Sequence, residues 1–173
     1  MGPLIEFAGQ ALINFRHHAF DQPSHHGYRW VDIKRYRVLG GPAADEHLLR
    51  ALIDDDQFAD GYAGAGAEPS LGIHGPYRLD GITPAAYEPV DAAVAVSVID
   101  AWARQFGDLP GSLADALEAQ LYAPARQAVS RYRLGDLDPD ARHEWAGIHI
   151  DFHELVIMDL AADTVLLAVA ADD

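Results

Sequence analysis

The sequence contains no cysteine, so disulfide bonds and thiolate metal ligands are excluded. It has no apolar run that approaches the roughly 20 residues of a membrane-spanning helix. Its first residues lack the basic segment and the long apolar core of a signal peptide. From these absences we expect a soluble, cytoplasmic protein that does not enter a membrane.

Basic residues are scarce. The chain has 12 lysines and arginines against 27 aspartates and glutamates, which gives a formal net charge of -15 at pH 7. Such a charge repels nucleic-acid phosphates and anionic membranes, and it attracts basic proteins or cations. An acidic composition also keeps many proteins soluble, so the charge alone does not identify a function. We do not expect nucleic acid as a partner, and a basic protein is the partner that this charge favours.

The few basic residues are concentrated in one segment. Four of the 12 fall within residues 29–37, where they are interleaved with aromatic residues. This mixture occurs in platforms for single-stranded nucleic acid, but the surrounding negative charge opposes that partner. We expect these side chains to pair with the protein's own carboxylates or to hold one small anion.

Period-two alternation near the C-terminus predicts a strand with one side on the interior and the other in solvent. The expected interior residues are Ile148, Ile150 and Phe152, and the expected solvent-facing residues are His149, Asp151 and His153. An apolar run at 155–158, a short connection and a second apolar segment at 164–170 complete a predicted C-terminal β-hairpin.

Other patterns give the remaining elements. Strands are expected within residues 4–20, 28–39 and 127–134, and helices at 45–58, 90–106 and 112–123, the last ending before Pro124. The order of strands, then helices, then strands indicates an α+β fold rather than repeated βαβ units. We predict a single domain over residues 1–173, with a mostly antiparallel sheet, N-terminal strands, two to three central helices and the C-terminal β-hairpin.

Glycine and proline recur through residues 59–89, which predicts a long irregular loop. Loops of this length inside a compact domain often carry function. One hypothesis is a small-molecule-binding domain with a pocket under residues 61–89 of this loop, rimmed by Tyr62, His74, Tyr77 and Arg78.

Histidine and aspartate are clustered at both ends of the chain. His149, Asp151 and His153 on one side of a strand, joined by His17 and His25, would suit a divalent transition metal such as Zn, Fe, Ni or Mn. Residues two apart on a strand lie about 6.6 Å apart, so at most two of the first three can share one ion. A small metal-dependent enzyme or sensor is therefore an alternative function. The same residues also fit the solvent side of an amphipathic strand without any metal.

Carboxylates follow the first predicted helix, at Asp54, Asp55, Asp56 and Asp60. No serine lies in a G-x-S-x-G elbow, and no catalytic residue is predicted, so the sequence leaves open whether the protein is an enzyme. With the charge and the small size, these residues favour an acidic, non-catalytic binding protein of an immunity or adaptor type. The four aspartates are its expected contacts with a basic macromolecular partner.

Overall fold

One antiparallel sheet of six strands organises the chain, in the order β1-β2-β8-β7-β6-β5. The computed structural model describes residues 2–21 and 27–173. A two-stranded hairpin, β3 with β4, stands beside the main sheet. In chain order the strands are β1 (Ile5–Asn14), β2 (Arg29–Val38), β3 (Ile73–His74), β4 (Tyr77–Arg78), β5 (Tyr87–Pro89), β6 (Ser130–Leu134), β7 (Phe152–Asp159) and β8 (Thr164–Asp172).

The centre of the sheet is β8, which pairs with β2 on one side and with β7 on the other. Its residues Val165 to Ala171 are buried on both faces. A strand covered on both faces is apolar throughout, and this explains why the sequence there does not alternate. The predicted C-terminal hairpin is therefore confirmed, as is the mostly antiparallel α+β fold in a single domain.

Helices cover one face of the sheet, and a helix with a long loop covers the other. The helices are α1 (Asp45–Ile53), α2 (Ala92–Ala103), α3 (Gly111–Leu117) and α4 (Ala123–Gln127). The side chain of Asp91 caps α2 by accepting a hydrogen bond from the Val94 N–H at 2.8 Å. Within residues 2–21 and 27–173, no helix has both the length and the apolar character needed to cross a bilayer.

The two largest apolar clusters of the described residues lie one on each face. On β2, Val31 and Ile33 point into the core under α2, α3 and α4, whereas Tyr36 and Val38 point into the core under α1. This division follows directly from the alternation of side chains along a strand. The segment of residues 54–86, which includes β3 and β4, shares the second face with α1, so it lies directly on the sheet.

Strand β7 begins at Phe152, four residues later than predicted. Residues Ala146–Ile148 form a 3-10 turn, and Ile150 is 75% exposed instead of buried. The Ile150 N–H donates to the Asp172 carbonyl oxygen at 3.1 Å, which ties this segment to the end of β8. The predicted interior side of residues 148–150 is therefore wrong.

Other boundaries also differ from the predictions. The N-terminal segment forms one ten-residue strand, with a register shift between Phe7 and Gly9. Helix α1 ends at Ile53 rather than at residue 58. The helix predicted to end before Pro124 continues beyond it, because a π turn at Glu118–Tyr122 joins α3 to α4. Proline has no N–H to donate within an α-helix, and its ring crowds the preceding turn. A π turn is wider than an α turn and so leaves room for that ring.

The turn between β3 and β4 depends on Gly75, which has φ of +49°. A Cβ atom at this position would overlap the Phe152 ring. Gly72 has a similar φ of +62° but open space around it. We expect Gly72→Ala to lower the free energy of unfolding by about 1–2 kcal/mol, the cost of a left-handed conformation.

We expect Gly75→Ala to lower it by about 1–3 kcal/mol more than Gly72→Ala, because overpacking is added to the same backbone cost. Urea denaturation of both variants measures the difference. Equal losses would show that the Phe152 ring moves freely and that this contact does not hold the hairpin on the sheet.

Candidate functional site

A half-open pocket of about 340 Å³ lies between β1, β2 and the glycine-rich loop of residues 60–66. We name it the Asp32 pocket, after one of its three aspartates. Its polar and aromatic side chains are Asp32, Asp60, Asp173, Gln10, Asn14, Trp30 and Tyr62. Among the described residues, no lysine or arginine lines this pocket. It is therefore an acidic site with aromatic walls.

Strand β2 supplies Asp32 to the pocket, between Trp30 and Lys34 on the same face. Asp32 is only 4% exposed. Its Oδ2 atom accepts a hydrogen bond from the Gln10 side chain of β1, but its Oδ1 atom has no hydrogen-bond partner among the described residues. Burial raises the pKa of Asp32, and the hydrogen bond from Gln10 and the charge of Lys34 only partly offset this effect.

The opposite wall is Tyr62, a buried non-glycine residue with φ of +52°. Such a backbone conformation costs about 1–3 kcal/mol and persists only where the surroundings hold it. The Tyr62 ring stacks on Trp30 with centroids 5.6 Å apart, and Lys34 Nζ lies 4.9 Å from its centroid. Its hydroxyl has no hydrogen-bond partner among the described residues. Burial raises the pKa of Tyr62 well above its ordinary value, so the phenol stays neutral.

An ion pair between Lys34 and Asp60 fastens the loop to the sheet. Lys34 Nζ donates to Asp60 Oδ2 at 2.7 Å and to the Gln57 carbonyl oxygen at 2.6 Å. Asp60 Oδ1 accepts from the Tyr62 N–H at 2.7 Å. Both charged groups are almost wholly buried, and a buried ion pair is tolerated only when its remaining donors and acceptors are satisfied. As expected for the basic strand, Lys34 pairs with one of the protein's own carboxylates.

Asp60 was predicted to form one contact surface with the three aspartates that follow α1, but it is buried and lies apart from them. Asp54 and Asp56 are exposed after α1, and Asp55 is half-buried. The Asp55 side chain accepts from the Gln57 N–H at 2.9 Å. The hypothesis that all four aspartates form one contact surface is wrong for Asp60, whose carboxylate is occupied on both oxygens.

A second polar network lies next to the Lys34–Asp60 ion pair. It consists of His74, Glu154 and Tyr87, all buried. Tyr87 Oη donates to Glu154 Oε1 at 2.5 Å, and burial raises the pKa of Tyr87 well above its ordinary value. His74 Nδ1 lies 2.5 Å from the Phe58 carbonyl oxygen, which can only accept, so Nδ1 carries a proton. His74 Nε2 lies 2.5 Å from Glu154 Oε2. The imidazole and the carboxyl group therefore share one further proton.

No known protein-family model and no curated protein matches this chain. Functional conclusions therefore rest on the chemistry of these side chains.

His149 is buried rather than exposed. Its Nε2 donates to the Gly61 carbonyl oxygen at 2.9 Å, and its ring meets the Trp30 ring edge-on at 6.1 Å. The prediction that His149 faces solvent together with Asp151 and His153 is wrong, because the imidazole finds an acceptor in the loop above the sheet. One ring nitrogen of His149 is thereby committed to a structural hydrogen bond.

The other proposed metal ligands are dispersed. His153 packs against Trp102 of α2, on the other side of the sheet from the loop, and burial lowers its pKa. Asp151 is half-buried, His17 is exposed at the end of β1, and His25 lies outside the described residues. Within residues 2–21 and 27–173, no three histidine, aspartate or glutamate side chains are arranged to hold a metal ion.

The predicted rim of the loop pocket is also divided. Tyr62 lines the Asp32 pocket, but His74 is fully buried in the second network. Tyr77 packs against the Phe152 ring, and the Arg78 side chain is exposed and paired with Asp80 at 3.4 Å. A pocket does lie under the loop, but only one of its four expected residues contributes to it.

The residues that sequence analysis missed are Asp32, Trp30 and Gln10. The signal was present in part, because Trp30 and Asp32 are two residues apart on a clearly predicted strand and so share a face. Nothing local marks that face as a pocket. The loop that covers it is fixed by Lys34 and Asp60, which are 26 positions apart.

Substitution of Glu154 tests whether the network of His74, Glu154 and Tyr87 needs a negative charge. In Glu154→Gln, the amide oxygen can accept from Tyr87 and the amide N–H can donate to Nε2 of a neutral His74. We expect the free energy of unfolding at pH 7 to fall by about 1 kcal/mol or less.

His74→Phe is the matched variant, since a phenyl ring keeps the stacking on Phe58 (3.7 Å between centroids). It leaves Glu154 Oε2 and the Phe58 carbonyl oxygen unpaired, so we expect a loss of about 3–5 kcal/mol. Chemical denaturation compares the two variants. If Glu154→Gln is as destabilising as His74→Phe, the network depends on an ion pair and not on satisfied hydrogen bonds.

Proposed function

We propose that this protein is a non-catalytic binding domain that takes a small organic cation into the Asp32 pocket. The observation that carries this proposal is that Asp32 lines the pocket and that its buried Oδ1 atom lacks a hydrogen-bond partner within the described chain. A buried acceptor without a donor costs about 1–3 kcal/mol. A cationic N–H donor would remove this cost and form a charge-assisted hydrogen bond.

Charge and size support the same proposal. The net charge of -15 attracts cations, and Asp32 and Asp173 concentrate this attraction at the pocket, whereas the charge of Asp60 is balanced by Lys34. The volume of about 340 Å³ lies at the lower end of the range for small-molecule sites. Among the described lining residues there is no serine, threonine, histidine or lysine, which favours binding over catalysis.

A second candidate is the recognition of a basic macromolecular partner by the exposed end of α1. The observation that favours it is the exposure of Asp54 and Asp56 in a strongly acidic chain. The two functions use different residues, because Asp32 is buried in the pocket and Asp56 lies on the open surface. One substitution at each position therefore separates them.

The binding test uses n-butylammonium and n-butyltrimethylammonium, with n-butanol as the uncharged control, in isothermal titration calorimetry. We expect at least one cation to bind and the alcohol not to bind. Asp32→Asn should weaken cation binding about tenfold or more, because it replaces the carboxylate with a neutral amide and so removes the charge from the hydrogen bond to the cation. Asp56→Asn removes the same charge from the surface and should change binding less than about twofold.

Failure of both cations to bind, or equal effects of the two substitutions, would contradict the proposed function. An octalysine peptide tests the second candidate in the same experiment. Tight, salt-sensitive binding of this peptide that is lost in Asp56→Asn and retained in Asp32→Asn would favour the macromolecular partner.

The raised pKa of Asp32 predicts an unusual pH dependence of stability. A group whose pKa is raised by folding stabilises the fold below its unfolded pKa, and this contribution is lost as the pH rises through the folded pKa. At pH 7 the buried carboxylate therefore destabilises the empty protein. We expect Asp32→Asn to increase the free energy of unfolding at pH 7, and the increase to shrink as the pH falls through the raised pKa.

Urea denaturation from pH 7 downward, with Asp56→Asn as the control, measures this effect. A loss of stability in Asp32→Asn at pH 7 would mean that Asp32 is a structural residue, because the carboxylate would then be contributing to the fold.

A further inference from the structure

We infer that the Asp32 pocket selects a primary ammonium group over a guanidinium or a quaternary ammonium group. This inference rests on the proposed function and names the ligand class of that site. It follows from which oxygens of the pocket aspartates lack a partner among the described residues and from which aromatic faces are already covered.

The three aspartates of the pocket are each at least half occupied. Asp60 uses both oxygens, one for Lys34 Nζ and one for the Tyr62 N–H, each at 2.7 Å. Asp32 uses Oδ2 for the Gln10 side chain. Asp173 accepts from Trp30 Nε1 with its Oδ1 atom at 3.2 Å. No aspartate of the pocket therefore presents two free oxygens to a ligand.

The occupied carboxylate oxygens disfavour a guanidinium group. A guanidinium binds a carboxylate best through two parallel N–H donors on its planar fork, which requires both oxygens of one carboxylate. At Asp32 such a fork would have to displace the Gln10 side chain. An ammonium group is a compact charge with three divergent donors. One of these donors satisfies Oδ1 of Asp32 and leaves the Gln10 hydrogen bond in place.

The aromatic residues disfavour a quaternary ammonium group. Recognition of such a group uses open ring faces that surround the cation. Here the Trp30 and Tyr62 rings stack on each other, with an interplanar angle of 22°. Lys34 Nζ already lies over the Tyr62 ring. A quaternary ammonium group also has no N–H donor, so Asp32 Oδ1 would stay unpaired beside it.

The experiment compares three ligands that share one charge and one alkyl chain: n-butylammonium, n-butylguanidinium and n-butyltrimethylammonium. Calorimetry at constant ionic strength and pH 7 gives their dissociation constants. We expect the primary ammonium to bind about tenfold or more tightly than either of the others, as one unpaired buried acceptor implies. In Asp32→Asn the three affinities should fall to within about twofold of one another.

Equal or tighter binding of the guanidinium or the quaternary ammonium would overturn this inference and leave the proposed function standing. Binding by none of the three, or by n-butylguanidinium alone, would overturn both. The ranking in the unaltered protein tests the inference without any substitution, so it does not depend on the folding of a variant.

A free amine and a lysine side chain share this chemistry, and Nα-acetyl-lysine-methylamide distinguishes them. If it binds as tightly as n-butylammonium, the pocket accepts a lysine side chain, and the primary ammonium remains the recognised group. If it binds more weakly while the ranking holds, the ligand is a free amine.

Discussion

The buried ion pair of Lys34 and Asp60 is the interaction on which the loop side of this protein depends. Removing two charges from water is unfavourable, and the pair is stable only because each group has further partners. Lys34 Nζ is bound by Asp60 and by the Gln57 carbonyl oxygen, and Asp60 also accepts from the Tyr62 N–H. These contacts fix where the loop lies on β2, and they thereby place Tyr62 opposite Asp32 and create the pocket.

The two faces of the sheet are therefore held to their covering elements by different interactions. The face under α2, α3 and α4 is built mainly from apolar side chains, whose burial is not directional, although the buried Arg29 side chain lies there over the Trp102 ring and donates to the Ala103 carbonyl oxygen. The face under the loop carries Asp32, Lys34 and Glu154 on its strands, each buried and engaged by a polar partner. Hydrogen bonds inside a protein demand specific geometry, so a satisfied network specifies a single arrangement of a loop that has little regular structure.

Local sequence patterns predicted the sheet but not the site. The strand β2 and the C-terminal hairpin follow from residues that are adjacent in the chain. Burial of His149 follows from the Gly61 carbonyl oxygen, 88 positions away. The alternation in the sequence predicts an exposed histidine and a buried Ile150. However, an imidazole with a hydrogen-bond partner can be buried, and a single isoleucine can be exposed. Pairings of this kind have no local signature, and the Asp32 pocket depends on them.

Asp32 and Tyr62 each lower the free energy of unfolding of the ligand-free protein. A buried carboxylate oxygen that has no donor among the described residues is unfavourable, and so is a tyrosine at a φ of +52° where glycine fits without strain. Departures from local rules are expected where a residue serves binding rather than folding. Two independent departures, one in charge and one in backbone conformation, face the same pocket. A ligand that brings a donor to Asp32 would compensate for one of them, and this coincidence supports our proposal of a binding function for the Asp32 pocket.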